Sequence, residues 1–214
     1  MIPDGITGKE LFTFLVENKG KVIAAKKAAM KVADAIGIQM HSMQTKATGL
    51  VDSSAIKVMA VINTTNYLDS HMDVHMPGIW DKSIKENRNI MHLQEHEMKF
   101  DKIISDGQDL TVSAKAFKWR DIGFDYDGQT EALLFESSVR KVRNQYMFEQ
   151  YAKGNVRNHS VGMQYVKLAL AINDPDYKDE FATWNKYAPQ VVNLGSAEYF
   201  WAVTEAKVVE GSAV

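Results

Sequence analysis

Gly154-Asn155-Val156-Arg157-Asn158-His159-Ser160-Val161-Gly162-Met163-Gln164-Tyr165 is the stretch from which the rest of the chain can be read. Before it, Phe148, Tyr151, Ala152 and Lys153 follow helical spacing from about Asn144, and Gly154 tolerates the left-handed backbone that closes a helix. After it, Val161, Met163, Tyr165, Val166, Leu168 and Leu170 are branched or aromatic enough to predict a long strand. Ser160 lies at the start of that strand. A serine hydroxyl is a poor nucleophile at neutral pH unless a base is held within hydrogen-bond reach. Alone, Ser160 reads as a small strand residue near a glycine; its interest depends on what lies upstream.

Working outward, Ile56, Val58, Ala60 and Ile62 alternate as a strand with two partly buried faces, and Asn63 to Tyr67 reads as turn chemistry. Pro77-Gly78 marks a turn before a short helix through Ile79, Trp80, Ser83 and Ile84. Ile90-Met91-His92-Leu93-Gln94-Glu95-His96 alternates again, and as a strand it would put Ile90, His92, Gln94 and His96 on one face. Asp106-Gly107 and Asp127-Gly128 introduce further strands, Leu110 to Phe117 and Thr130 to Ser138. Residues 177 to 196 read as an inserted helix and loop, and Tyr199 to Val209 as a closing strand. Many strands with few helices predict a β-barrel or sandwich with helices around it, an α+β chain.

Residues 1 to 46 have a different texture. Leu11, Phe14, Leu15, Val22, Ala25, Ala29, Val32, Ala33 and Ile36 recur at helical intervals, with a break expected at Gly20. Seven lysines against four acids give this helical arm a local charge of +3. It reads equally as a solvated arm packed on its own domain and as a docking arm for a partner.

The 214 residues are 45% hydrophobic, enough for one substantial core. A net charge of −2 gives no reason to expect nucleic acid as a partner. The absence of cysteine excludes thiol catalysis, disulfides and thiolate metal sites together. No segment approaches the roughly 20 apolar residues of a membrane span, so a soluble, intracellular chain is expected.

Four histidines come as His71-x-x-x-His75 and His92-x-x-x-His96, and the second pair reads His-Leu-Gln-Glu-His, formally an inverted zincin motif. There Glu95 would activate a zinc-bound water, but the motif needs a helix and the segment alternates as a strand. The alternative takes His96 or His92 as the general base of a serine hydrolase, a task suited to an imidazole whose ordinary pKa is about 6.5. His159, adjoining Ser160, would point to the opposite face of a regular strand.

Taken in order, four stretches resemble the prohead, or procapsid maturation, serine proteases of tailed bacteriophages, a group similar in fold to the herpesvirus assemblins. They are Asp69-Ser70-His71 through Pro77-Gly78-Ile79-Trp80; Ile90 to His96; Lys153-Gly154-Asn155-Val156 through Ser160-Val161-Gly162-Met163; and Val208-Val209-Glu210-Gly211-Ser212. The resemblance covers residues 54 to 214 and implies an assemblin-like β-barrel surrounded by helices, with residues 1 to 46 as the N-terminal helical arm. It makes Ser160 the nucleophile and His96 the base. Glu210 is the first choice for the orienting third member, with Glu205, Glu136 and His92 as alternatives. Two features depart from the pattern: Gly211 stands where many relatives carry an aliphatic residue, and the chain stops at Val214, as a truncated or self-cleaved form would.

The implied function is endoproteolysis inside the immature capsid, in the host cytoplasm, on scaffold and major capsid protein extensions and on the protease itself. No cofactor or metal is implied. Self-association is a further expectation, because assemblin-like enzymes are often controlled by it. The lysine-rich arm is expected to be a tether to scaffold or a removable segment. The reading from another class is a catalytically silent capsid-assembly or scaffolding protein, which would tolerate Ser160→Ala.

Overall fold

A computed structural model of the chain describes residue 3 and residues 5–32, 54–87 and 89–214. In chain order the elements are α1 (Gly8–Glu17), α2 (Lys19–Ala28), β1 (Lys31–Val32), β2 (Ala55–Thr64), β3 (Asp73–His75), α3 (Asp81–Glu86) and β4 (Met91–Gln94). There follow β5 (Ile103–Ser105), β6 (Leu110–Lys118), β7 (Gln129–Arg140), α4 (Gln145–Ala152), β8 (His159–Ile172), α5 (Lys178–Tyr187) and β9 (Tyr199–Ala213).

The strands form two sheets. One runs β1-β8-β9-β4-β5, with β3 also pairing with β9, and the other runs β2-β7-β6. The long antiparallel pair β8/β9 is the spine of the first sheet; β3 and β4 join the far edge of β9 in parallel, at opposite ends of it. Neither sheet closes on itself among the described residues, which form an α+β fold with two open sheets.

Alternation explains how the sheets meet. Ala60 and Ile62 of β2 and Leu133 and Phe135 of β7 face Val161, Met163 and Tyr165 of β8 and Val203 and Val208 of β9 in one buried cluster, joined by Ile79 and Trp80. Gly211 is tied to that core: a Cβ there would lie 2.6 Å from Phe135 Cε2 and 2.9 Å from Ile62 Cγ2. Two neighbouring side chains therefore fill the space that an aliphatic residue would need.

α4 forms where expected. Asn144 caps it by accepting a hydrogen bond from the Met147 amide at 3.0 Å, and Gly154 follows at φ 69°. Met147 joins Ile104, Val139 and Ala213 in a cluster that fastens α4 beside the entry to β8.

The arm lies against the body. Phe12 and Leu15 of α1 pack on Leu170, Ile172 and Trp201, at about 1.5–3 kcal/mol for each large side chain fully buried. That outweighs the Lys9–Asp176 ion pair, whose two exposed side chains are screened by solvent. The break between helices falls at Asn18 rather than Gly20, because the Asn18 amide and side chain both close onto the Phe14 carbonyl; Gly20 is inside α2. Helical spacing predicts helix beyond Val32, but α2 ends at Ala28, Ala29 is extended and Val32 lies in β1. Pairing with the β8 edge overrides helical spacing there. Ala33, Ile36 and the remainder of the arm to residue 46 lie outside the described residues.

Candidate active site

Register places the candidate residues on one face of the β8/β9 ladder. Ser160 is directly opposite Ser212, and Gly162 is opposite Glu210. Direct antiparallel partners have Cβ atoms about 4.5–5.5 Å apart on the same face. A Cβ on Gly162 would come within 1.9 Å of Glu210 Oε1, so the Glu210 carboxylate lies over Gly162. A register shift between Gly162 and Met163 leaves Val209 as an extra residue in β9. This bulge sends Val208 and Met163 into the core while Glu210, two residues later, faces the other way.

His96 reaches that face by leaving its strand. β4 ends at Gln94, and Glu95 and His96 are both left-handed, at φ 53° and 58°. Such a conformation costs non-glycine residues about 1–3 kcal/mol and persists where surrounding contacts over-determine it. Here the Glu95 amide donates to the Ala213 carbonyl at 2.9 Å, and the His96 amide to Ser212 Oγ at 3.0 Å. His96 therefore does not share a face with His92, as continued alternation would require.

Those contacts close a small ring. His96 Nδ1 is 2.7 Å from Glu210 Oε1, and Ser212 Oγ donates to Glu210 Oε2 at 2.6 Å while accepting from the His96 amide. Both carboxylate oxygens are occupied, and Glu210 is buried. With Nδ1–H donated to the carboxylate, Nε2 carries the lone pair. It is buried and has no hydrogen-bond partner among the described residues, so the structure does not bring the Ser160 hydroxyl into hydrogen-bond contact with it. Ser160 is itself only 3% exposed.

The alternative third members lie elsewhere. Glu136 is on β7 with Lys115 at 3.1 Å, and Glu205 pairs with Lys82 and Lys167. His92 turns to the core side, with Ser137 Oγ 2.7 Å from Nδ1 and the Tyr151 hydroxyl 3.2 Å from Nε2. That hydroxyl is also 2.9 Å from His159 Nε2. Burial pushes His159 down to about 4, and burial together with the neighbouring His159 pushes His92 well below the ordinary range. Both are neutral parts of the packing, and His159 faces away from Ser160.

The zinc-like spelling His-Leu-Gln-Glu-His spans a strand and a left-handed turn, and its two histidines diverge. The pair His71 and His75 also separates, His71 exposed and His75 buried between Asn63 and Tyr165. Among the described residues, no group of three or more histidine or carboxylate side chains is arranged to hold a metal ion.

Two residues of the cluster, Ser212 and Gly162, take their place through pairing that sequence spacing alone does not reveal. Ser212 shares a strand face with Glu210 by the two-residue period, and Gly162 bears the same relation to Ser160. The spacings Glu-x-Ser and Ser-x-Gly were the available signals. The chain matches no protein-family model, no curated protein and no solved structure.

Proposed function

We propose that the chain is a serine endopeptidase in which Ser160 is the nucleophile, His96 the general base and Glu210 the group that orients and stabilises the imidazole. One observation carries the reading: the buried Glu210 carboxylate holds His96 by Nδ1, on the ladder face that bears Ser160, and leaves Nε2 as the acceptor. Ser160 Oγ attacks the scissile carbonyl carbon and its proton passes to His96 Nε2. The imidazolium is stabilised by Glu210 and then protonates the departing amine, leaving an acyl ester on Ser160. Water attacks the ester, His96 takes one of its protons, and the carboxylic acid is released as the serine regains its hydrogen. Backbone amides stabilise the developing oxyanion.

The four ordered stretches extend the proposal to capsid maturation: cleavage of scaffold and major capsid protein extensions, and of the chain itself, inside the phage prohead in the host cytoplasm. In the same reading the two sheets sharing the Phe135 and Val161 core are the halves of an assemblin-like barrel, residues 54–214 are the protease domain and residues 1–46 its arm. Mass spectrometry of the chain and of Ser160→Ala, alone and with scaffold protein, tests this. Trimming by the parent but not the variant, unaffected by chelator, is the expected result. Equal cutting by both chains, or cutting abolished by chelator, removes the serine reading. No cutting by either favours the scaffolding alternative.

A further inference from the structure

The closed state of the site calls for an explanation. Ser160 and Glu210 are each 3% exposed and His96 Nε2 is buried, so a polypeptide substrate cannot reach the hydroxyl until something moves. β8 has β9 along one edge. On its other edge β1 pairs antiparallel, Lys31 opposite Met163 and Val32 opposite Gly162. A strand edge takes an extended peptide through main-chain hydrogen bonds. A peptide in the register of β1 would bring the second residue beyond the one facing Gly162 abreast of Ser160.

The side chains around β1 form a latch. Lys31 Nζ is 3.0 Å from Asp73 Oδ2 and 3.0 Å from Asp69 Oδ2, the second contact an ion pair without hydrogen-bond geometry. Lys26 of α2 reaches Asp73 Oδ1 at 2.5 Å, and the Tyr165 hydroxyl donates to Asp73 Oδ2 at 3.0 Å. Burial alone would push the Asp73 carboxyl up, but Lys26 and Lys31 together hold it below its ordinary range. Breaking one partner out of a buried pair leaves an uncompensated buried charge and so costs far more than breaking an exposed pair. For a strand of two residues, the charges rather than the ladder supply the hold.

We propose that β1 is a built-in stand-in for substrate, occupying the β8 edge beside Ser160 and held there by the Lys26 and Lys31 latch on Asp73 and Asp69. A protein substrate enters as an extended segment only when β1 leaves. The inference rests on the protease reading for the cleavage of a bound segment, not for the occupancy of the edge.

The test uses the full chain carrying Ser160→Ala, so that binding is read without cleavage. A fluorescent synthetic peptide of residues 28–36 is titrated into this chain, into the same chain with Lys31→Ala and Val32→Pro, and into one with Lys31→Arg. Proline cannot donate to a ladder and is placed at a residue that is 46% exposed, and Lys26 stays on Asp73, so the body keeps a buried pair. The Lys31→Ala/Val32→Pro chain should bind the peptide at least about tenfold tighter, the gain from freeing an edge that is roughly 90% occupied. Lys31→Arg, which keeps the charge, should match the parent. Hydrogen exchange should rise only around Gly162 and Met163 in the Lys31→Ala/Val32→Pro chain. Equal affinity across the three chains, no binding to any, or tightening in Lys31→Arg as large as in the double variant overturns the proposal. Failure of the protease reading would look different: the peptide is bound, but the chain that keeps Ser160 leaves it uncut.

Discussion

Substituting Gly162 by alanine probes the site through one atom. The added Cβ would sit 1.9 Å from Glu210 Oε1 and 2.8 Å from its carboxyl carbon. Ordinary contact begins near 3.4 Å, so the carboxylate must retreat by roughly 1.5 Å or β8 must move by as much. Glu210 has little freedom, being buried and tied to His96 at 2.7 Å and to Ser212 at 2.6 Å. Overpacking costs about 1–3 kcal/mol, and losing a hydrogen bond to a charged group about 1.5–3 kcal/mol. A loss of about 2.5–6 kcal/mol is expected, most of it coupled to Glu210. Urea unfolding of Gly162→Ala, Glu210→Ala and the double variant measures the coupling. With the carboxylate gone, Gly162→Ala should cost less than about 0.5 kcal/mol, a non-additivity proper to groups in contact. The His96 ring resonances should shift in Gly162→Ala as they do in Glu210→Ala. Additive costs, or unmoved His96 resonances, would refute the placement of Glu210 over Gly162.

Acid should destabilise the fold well above the carboxylate range. Burial pushes His75 and His159 from 6.5 to about 4, and burial together with the neighbouring His159 pushes His92 well below 6.5. Between those values the unfolded chain binds more protons, so stability is full above pH 6.5 and falls toward pH 4, at about 1.4 kcal/mol per pH unit per histidine. Urea unfolding between pH 6.5 and 5 should lose about 3 kcal/mol from His75 and His159 alone, and a flat profile would contradict their burial as neutral groups. Leu15→Ala should cost about 2–5 kcal/mol and loosen α1 in hydrogen exchange, since Leu15 is buried against the β8/β9 face; an unchanged exchange pattern would mean the arm is not packed there. Gly211→Ala should cost about 1–3 kcal/mol by pressing on Phe135 and Ile62, read from the thermal midpoint, and a neutral result would show that the core yields.

Sequence patterns exposed the elements whose environment is regular. The alternation of Ile56 to Ile62 and the run after Ser160 became β2 and β8 because one-sided or two-sided burial imposes a period of two. Gly154 ended α4 because only its backbone freedom was needed. What stayed hidden depended on contacts distant in sequence. The turn that swings His96 to Glu210 requires two left-handed non-glycine residues, which local propensity disfavours and the β9 carbonyl and Ser212 impose. The bulge at Val209 is set by pairing with β8, and β1 is too short to register as a strand without its ion pairs. Neighbouring spacings carry no information on whether a sheet closes, so the run of short strands could not separate a barrel from two open sheets.

The most direct measurement is the mass of the chain after exposure to a fluorophosphonate, with mapping of the modified peptide. Activation of Ser160 by a Glu210-held His96 predicts a single adduct on Ser160 that is absent from Ser160→Ala and slowed by a factor on the order of 10³ or more in His96→Ala. No adduct, an adduct on another residue, or labelling at the same rate without His96 would contradict it.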